Sequence, residues 1–270
     1  MRKKITVVIG TYNVERIIGR CLDALRWADE VNIVDTCSTD RTRELCARYP
    51  NVRFYEREEW LNPNINYGIE RASHEWILRL DSDEVVTPEL AAEIQEEVLT
   101  EKSPQYSGFH VPSRVHFFGK WIKYGPAFQR GSRVPGEAYR KMLFRKGTAS
   151  YRCESQHEDM TTLGEYGFLK NIYLHYSHDS ISQWIGKMNL YTDVDARLVP
   201  LEQISFKPFF RLRLLYWLVQ NFYGLYVRNH GHRDGFHGFV VCLLHAWYPI
   251  IQQLKLWEKK WKAEHQPETR

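Results

Sequence analysis

The first hundred residues alternate β-branched runs with amphipathic segments, and this order constrains the fold more than any other feature of the sequence. The apolar runs at 5–9, 31–34, 52–55 and 76–80 are each about as long as one strand. Between them, apolar residues recur three and four apart, which is typical of helices with one buried face. This β-α-β-α-β-α-β order predicts an α/β fold with a mostly parallel sheet and flanking helices.

Two positions carry helix-capping signals. Asn13 follows the first predicted strand, and its side-chain oxygen is predicted to accept from a backbone N–H in the first turn of a helix. Thr87 precedes Pro88, and proline is favoured at the first helical position. The sequence therefore predicts helices beginning just after each of these capping residues.

Polar side chains follow three of the predicted strands, at the edge where open parallel sheets bind ligands. They are Thr11, Tyr12 and Asn13 after the first strand, Asp35 after the second, and Asp81, Ser82 and Asp83 after the fourth. Paired carboxylates suit Mg²⁺ or Mn²⁺, which keep positions for water and substrate phosphates. The alternative is that these acids are solvated turn residues. The sequence contains neither G-x-G-x-x-G nor G-x-x-x-x-G-K-[ST], which disfavours a dinucleotide site and a P-loop.

Composition and charge narrow the class of protein. With 43% hydrophobic and 26% charged residues, the chain is globular in type, and its formal net charge of +4 does not predict a nucleic-acid binder. The five cysteines form no C-x-x-C pair, so neither a disulfide framework nor a zinc site is expected. We expect reduced thiols in a cytoplasmic protein.

Three stretches carry a resemblance to a known family: VVIGTYNVERIIGRCLDAL, ADEVNIVDTCSTDRT and WILRLDSDE. They resemble glycosyltransferase family 2, whose members share the GT-A fold. The later QHED, YLHYSH and RDGFHGF are similar to landmarks of bacterial lipopolysaccharide-core β-glucosyltransferases. The resemblance implies an inverting hexosyltransferase that uses a nucleotide-sugar donor, with a UDP-sugar favoured, and a divalent cation.

The resemblance also implies roles for single residues. The implied nucleotide-sugar-binding set is Thr11, Tyr12, Asn13, Asp35, Asp81, Ser82 and Asp83. Within it, Asp35 would hydrogen-bond the base, Asp81 would face the ribose or the metal-bound diphosphate, and Asp83 would be the direct metal ligand. His175 ends a strand-like segment and is either a further metal ligand, a diphosphate contact or a structural histidine.

The sequence departs from the family pattern at one position of this site. The usual glycine of the loop after the second strand is Cys37 here. A Cβ at this point either changes the turn or is tolerated as a small substitute.

An inverting transferase needs a general base to take the proton of the acceptor hydroxyl. The segment 156–159 supplies acids, and Glu158 is the first choice with Asp159 second; the alternative is that both are surface acids. Three cations nearby, Arg140, Lys141 and Arg145, either contact phosphate or form the exposed face of a strand. The irregular, aromatic segment 108–136 is expected to be a hairpin and a loop suited to an acceptor-binding lid.

The last third of the chain is helical in pattern and mixes basic residues with Trp, Phe and Leu. Such helices are typical of membrane interfaces, although they also suit packing on the catalytic domain or a homo-oligomer interface. We therefore predict a GT-A domain at 1–178, with nucleotide-sugar binding at 1–100 and the acceptor side at 101–178, followed by a helical region at 179–270. The apolar stretch at 236–257 carries too many polar residues to be predicted as a membrane span.

The combined prediction is a cytoplasmic enzyme, peripheral on the inner face of the cytoplasmic membrane. Its predicted acceptor is a lipopolysaccharide core or another lipid-linked glycan, and no nucleic acid is expected as a partner. Two alternatives stay open: transfer to a protein or soluble acceptor, and a non-catalytic, membrane-docked GT-A scaffold.

Overall fold

The computed structural model describes residues 2–59, 61–100, 105–127, 134–153 and 159–265. Contacts divide the chain into two compact units. The first unit is Met1–Arg114 with Ala138–Tyr176, and the second is Val115–Glu137 with Ser177–Arg270. The functional division at 178/179 stays a prediction.

The N-terminal part of the first unit has the predicted alternation of strands and helices. Its elements are β1 (Ile5–Thr11), α1 (Ile18–Asp23), β2 (Glu30–Asp35), α2 (Thr42–Cys46), β3 (Val52–Glu56), α3 (Leu61–Glu70), β4 (Trp76–Asp81), β5 (Glu84–Val86) and α4 (Pro88–Glu93). All four predicted strands are present, and each extends by one or two residues beyond its apolar run. A π-helical turn, Ile94–Val98, continues α4.

The remaining strands mix parallel and antiparallel pairing. They are β6 (Gly108–Phe117), β7 (Lys120–Trp121), β8 (Glu137–Arg145), β9 (Ala149–Ser150), β10 (Thr161–Thr162), β11 (Tyr166–Phe168) and β12 (Tyr173–His178). The main sheet runs β3-β2-β1-β4-β8-β6-β12-β5, with β7 and β11 also paired to β6. Strands β3, β2, β1 and β4 are parallel, whereas β8 joins β4 and β12 joins β5 in antiparallel pairs. The predicted α/β fold with flanking helices is confirmed.

Helices cover both faces of the parallel strands because β1 is apolar on both sides. Ile5, Val7 and Ile9 point to one face, where they join the buried apolar residues of α1 and α4. Val8 points to the other face and packs with Ile65 of α3. A continuous apolar run is what a parallel strand buried on both faces requires.

One of the two capping predictions is confirmed and the other is wrong. The Thr87 side chain accepts from the Leu90 backbone N–H, with Pro88 at the start of α4. Asn13 does not cap α1, which begins only at Ile18. Its side-chain oxygen instead accepts from the Thr39 backbone N–H across the neighbouring loop, 2.8 Å away. Asn13 therefore bonds to a loop that is distant in sequence instead of to the first turn of the following helix.

The second unit contains the predicted C-terminal helices and a segment from the middle of the chain. Its helices are α5 (Ile181–Leu198), α6 (Phe210–Tyr223) and α7 (Gly235–His265), with a π-helical turn at Gly224–Arg228 and short 3₁₀ turns at Leu201–Gln203 and Gly231–Asp234. Phe117 and Ile122 pack with Trp184 and Val241 in its core. The buried Asp234 carboxylate accepts from the backbone N–H groups of Lys123 and Tyr124 at 3.0 and 2.8 Å. The predicted hairpin in this segment is formed by β6 and β7, but 108–117 is a regular strand rather than an irregular loop.

Helices α6 and α7 expose large apolar side chains. In α6 no residue is buried, and Leu212, Leu215 and Val219 are more than 60% exposed at helical spacing. Phe236, at the start of α7, is 78% exposed. By length and composition alone, Gly231–His265 passes as a candidate membrane span, with a mean hydropathy of 1.2 in its most apolar window, of which 22% is buried.

Candidate active site

The register of the central strands brings the predicted site residues to one edge of the sheet. Thr11 at the end of β1 lies opposite Asp35 at the end of β2, and Gly10 lies opposite Asp81 at the end of β4. Since β1 lies between β2 and β4, the two aspartates are separated by two strand spacings, or roughly 10 Å. The edge is the carboxyl end of parallel strands, where such sheets bind ligands.

Asp35 braces the start of the loop that follows β2. One carboxylate oxygen accepts from the Thr11 hydroxyl at 2.6 Å and from the Ser38 hydroxyl at 2.7 Å. The other accepts from the Ser38 backbone N–H at 2.6 Å. The side chain is buried, so its nearest partners are these protein donors. Its predicted contact with a nucleotide base stays a prediction.

The loops after β1 and β2 are joined by reciprocal hydrogen bonds. Asp40 accepts from the Glu15 backbone N–H at 2.9 Å, and Glu15 accepts from the Arg41 backbone N–H at 3.0 Å. Asn13 donates its backbone N–H to Ser38 at 2.7 Å. These bonds fix the rim from which Tyr12, 52% exposed, projects beside the strand ends.

Cys37 occupies the rim in a left-handed backbone conformation, with φ of +54°. Left-handed geometry is costly for a residue with a Cβ and is the usual reason for a glycine. The exposed Cys37 therefore carries the strain of a conformation that glycine adopts freely.

Asp81, Ser82, Asp83 and Glu84 form a tight turn between β4 and β5. The Asp81 carboxylate accepts a hydrogen bond from Arg79 Nη1 at 2.8 Å and lies 3.5 Å from Arg140 Nη1. Burial alone would raise the pKa of Asp81, but the two guanidinium groups outweigh it and hold that pKa below its usual value. Asp81 is therefore an ionised carboxylate, already paired with a buried arginine.

Asp83 and His175 face each other across adjacent strands. His175 of β12 lies opposite Glu84 of β5, and the Tyr176 backbone N–H donates to the Asp83 carbonyl at 2.9 Å. These bonds place His175 Nε2 at 3.5 Å from Asp83 Oδ1. Burial would lower the pKa of His175, but the neighbouring Asp83 outweighs it and raises that pKa.

The Asp83 carboxylate is the oxygen donor that a hard cation prefers, and the His175 imidazole is a second possible donor beside it. An ion with bonds of about 2.1 Å can contact two atoms that lie 3.5 Å apart. Among the residues that the structure describes, no group of three or more His, Cys, Asp or Glu side chains is arranged to hold a metal ion. Substrate phosphates and water would supply the other ligands, as is usual for Mg²⁺.

Glu84 belongs to this site, although the sequence did not single it out. Its side chain is fully buried, where Oε1 accepts from Arg140 Nη1 and Oε2 accepts from the Asp81 backbone N–H at 2.8 Å. A buried carboxylate requires such partners. Its place directly after the D-S-D motif was the available signal, but its partner lies 56 residues away.

The structure describes only the second candidate for the general base. Glu158, the first choice, lies outside the described residues. Asp159 is exposed and directly precedes Met160 and the short strand β10. Of the three nearby cations, Lys141 donates to Thr162 and Arg145 pairs with Glu75, so among the described contacts only Arg140 reaches the aspartate turn.

Comparison with known proteins identifies the family of this chain. Residues 6–156 match the family described as glycosyl transferase family 2. An uncharacterised glycosyltransferase of Rickettsia typhi is 24% identical over 269 residues, covering 97% of this chain and 90% of the relative. The lipopolysaccharide core biosynthesis glycosyltransferase LpsC of Rhizobium meliloti is 27% identical over 256 residues, covering 92% and 89%.

Solved structures of distant similarity cover nearly the whole chain. A mannosyltransferase from Pyrobaculum calidifontis, solved with GDP-Man and Mn²⁺, has a TM-score of 0.48 at 14% identity, covering 98% of this chain and 89% of that one. TarS 1–349 of S. aureus, solved with UDP-GlcNAc, has a TM-score of 0.43 at 15% identity, covering 99% and 93%. The matched residues 6–156 span more than half of the chain and include the whole parallel sheet edge. The chain belongs to glycosyltransferase family 2, and its fold is the GT-A fold that the sequence predicted.

Proposed function

We propose that this glycosyltransferase is an inverting hexosyltransferase that moves a sugar from a nucleoside-diphosphate donor, with a UDP-sugar favoured, to a lipopolysaccharide-core or other lipid-linked glycan. The observation that carries the proposal is the convergence of Asp35, Asp81 and the Asp83–His175 pair at one sheet edge. The similarity to LpsC, which is named as a lipopolysaccharide core enzyme, supports the acceptor class.

The donor would lie along the strand ends, with its base towards Asp35 and its diphosphate towards the aspartate turn. Thr11, Tyr12 and Asn13 border the base end of this path, and Ser82 lies within the turn at the other end. Asp83 and His175 would hold Mg²⁺ or Mn²⁺ there. When bound, the ion supplies positive charge that stabilises the departing diphosphate.

On the acceptor side, a carboxylate takes the proton of the attacking hydroxyl. Glu158 is our first candidate for this base and Asp159 the second. In-line attack from the face opposite the diphosphate inverts the configuration at the sugar C1.

A donor panel tests this function directly. UDP-, GDP- and dTDP-sugars are supplied with Mn²⁺ or with EDTA, and nucleotide release is measured in the presence of a lipopolysaccharide-core acceptor. We expect nucleotide release with one of the three nucleotide classes, and only when Mn²⁺ is present. In Asp83→Asn we expect the rate of nucleotide release to fall at least about 100-fold. Asp23→Asn removes an exposed carboxylate of α1 that pairs with Arg26 and serves as the matched control.

Three results would overturn the proposal, in part or in whole. Full activity of a folded Asp83→Asn variant would remove the metal role from Asp83. Release that depends on a protein or a soluble sugar, rather than on a lipid-linked glycan, would replace the acceptor class. A chain that binds none of UDP, GDP or dTDP with Mn²⁺ in a calorimeter would be a scaffold without turnover.

We also propose that α6 and the start of α7 lie on the inner face of the cytoplasmic membrane. The exposed apolar side chains of α6 are bordered by basic residues, which suits an interfacial helix on anionic lipid. Between Gln203 and Trp257 the sequence carries six Lys and Arg residues and one acid, Asp234, which is buried. A second copy of the chain is the alternative occupant of this face.

A further inference from the structure

A buried charge cluster lies beside the aspartate turn, and Arg140 is its accessible cation. The cluster consists of Arg79, Asp81, Glu84 and Arg140, two cations and two anions. The Arg79 side chain is 6% exposed and the Glu84 side chain is fully buried. The Arg140 side chain is 38% exposed, so it is the cation of this cluster that an incoming ligand can reach.

The guanidinium of Arg140 is held by one nitrogen. Its Nη1 donates to Glu84 and lies 3.5 Å from both Tyr173 Oη and Asp81 Oδ2. Every contact that the structure gives this guanidinium, among the described residues, runs through Nη1. No described residue contacts the Nε–Nη2 edge, and this edge is the one that binds phosphate oxygens in a bidentate fashion.

Glu84 fixes the direction of that edge. One Glu84 oxygen accepts from the Arg140 guanidinium and the other accepts from the Asp81 backbone N–H. Glu84 therefore holds the guanidinium at a fixed position relative to the D-S-D turn. A carboxylate with no exposure cannot move into water to release its partner. Glu84 is thereby a positioning residue rather than a ligand contact.

The cluster is electrically balanced before a donor binds. Arg79 neutralises Asp81, and Glu84 neutralises Arg140. A diphosphate that arrives beside Asp81 adds negative charge that Arg79 cannot reach from its buried position. Arg140 is the side chain of the cluster that can meet this charge directly.

We propose that Arg140 binds the donor diphosphate through its Nε–Nη2 edge and that Glu84 holds it in place; this rests on the nucleoside-diphosphate donor of the proposed function. During transfer the bond from the sugar C1 to the acceptor oxygen forms as the bond from C1 to the diphosphate oxygen breaks. The electron pair leaves with the diphosphate, and the acceptor proton goes to the general base. Arg140 stabilises the negative charge that develops on the leaving oxygen.

The test compares binding of a nucleoside diphosphate with binding of its nucleoside. Calorimetry measures UDP and uridine, or the corresponding pair for whichever of UDP, GDP and dTDP binds, in EDTA and again with Mn²⁺. In Arg140→Lys we expect the diphosphate to bind about tenfold more weakly and the nucleoside to bind unchanged, because a lysine keeps the charge but not the forked geometry.

Removing Arg140 alone leaves the Glu84 carboxylate buried without its cation, and such a variant can fail to fold. The double variant Arg140→Met/Glu84→Gln removes both charges of the pair and keeps its volume. We expect a loss of about 10- to 100-fold in diphosphate affinity and no loss in nucleoside affinity. Lys141→Ala, which removes a cation from the opposite face of β8, is the matched control and should change neither.

The outcomes separate the two proposals. If the affinities for the diphosphate and for the nucleoside fall equally, Arg140 has a structural role only. If both affinities are unchanged in the folded double variant, Arg140 does not contact the donor. Either result overturns the inference while leaving the donor class intact. A wild-type chain that binds no nucleoside diphosphate, with or without Mn²⁺, contradicts the proposed function itself.

Discussion

At the scale of single residues, Cys37 carries a backbone strain that its neighbours make unavoidable. Asp35 and Ser38 form the hydrogen bonds that close the loop on either side of it. The loop therefore keeps its left-handed residue at position 37, with φ of +54°, although a cysteine has a Cβ. A strain of this type costs roughly 1–2 kcal/mol.

We expect Cys37→Gly to stabilise the protein by about 0.5–1 kcal/mol. The gain from relieving the strain exceeds the entropy that glycine adds to the unfolded chain, which is about 0.4–1 kcal/mol. The measurement is urea denaturation followed by circular dichroism. Cys37→Ala removes the thiol but keeps the Cβ, and it should give no such gain. Equal stabilities of the glycine and alanine variants would remove the strain explanation.

The sequence predicted which acids lie at the sheet edge of the candidate site, but it predicted neither Glu84 nor the pairing of the side chains there. The acids at the strand ends follow from where the apolar runs stop, because the side chains just beyond a parallel strand lie at the ligand-binding edge. The ion pairs of Arg79 with Asp81 and of Arg140 with Glu84 depend on which side chains meet after folding. No local sequence pattern predicts which of these side chains form ion pairs.

At the scale of secondary-structure elements, α3 packs on the sheet through a glycine. A Cβ built on Gly68 would lie 2.5 Å from Val8 Cγ1 and 3.0 Å from Val34 Cγ2. The helix is therefore held closer to β1 and β2 than any larger residue would allow. The amide of Asn32 reinforces this approach by donating to the Gly68 carbonyl at 3.1 Å.

We expect Gly68→Ala to destabilise the protein by about 1–3 kcal/mol, as overpacking does in a tight core. The sign is opposite to that of helix propensity, which favours alanine by about 1 kcal/mol. Gly19 in α1 is the matched control, because a Cβ there would meet only Tyr49 Oη at 4.0 Å. Gly19→Ala should therefore be neutral or stabilising in the same urea titration. A stabilising Gly68→Ala would show that α3 can move away from the sheet.

At the scale of the whole molecule, charge and exposed apolar surface coincide in one part of the chain. The formal net charge is only +4, but between Gln203 and Trp257 six cations stand against one buried acid. The exposed side chains Leu215 and Val219 lie in the same stretch. Attraction to an anionic surface would add about 1 kcal/mol for each cation near it.

We expect the chain to sediment with vesicles that contain phosphatidylglycerol more strongly than with phosphatidylcholine vesicles, and less strongly at high salt. Leu215→Asp/Val219→Asp should weaken this binding at least about tenfold, because it replaces inserted apolar groups with charges that anionic lipid repels. The control is Leu163→Asp/Phe168→Asp, which changes two exposed apolar side chains of the first compact unit.

Two outcomes would contradict a membrane-facing role for α6. The first is vesicle binding that changes neither with the charge of the lipid nor in the α6 variant. A wild-type dimer in analytical ultracentrifugation that the α6 variant converts to monomer would assign the same face to a second copy of the chain.

The alternation of strands and helices, the ligand-binding edge of the sheet and the position of most candidate site residues along that edge follow from the sequence alone. These features are local, since a period of two or 3.6 residues and the point where an apolar run ends are both written in neighbouring residues. Two features are visible only in the folded chain: β8 pairs with β4 and brings Arg140 beside Asp81, and Asn13 bonds to a loop rather than to its own helix. Only the folded chain sets these contacts, because they join segments far apart in sequence whose meeting depends on which strand edges remain free to pair.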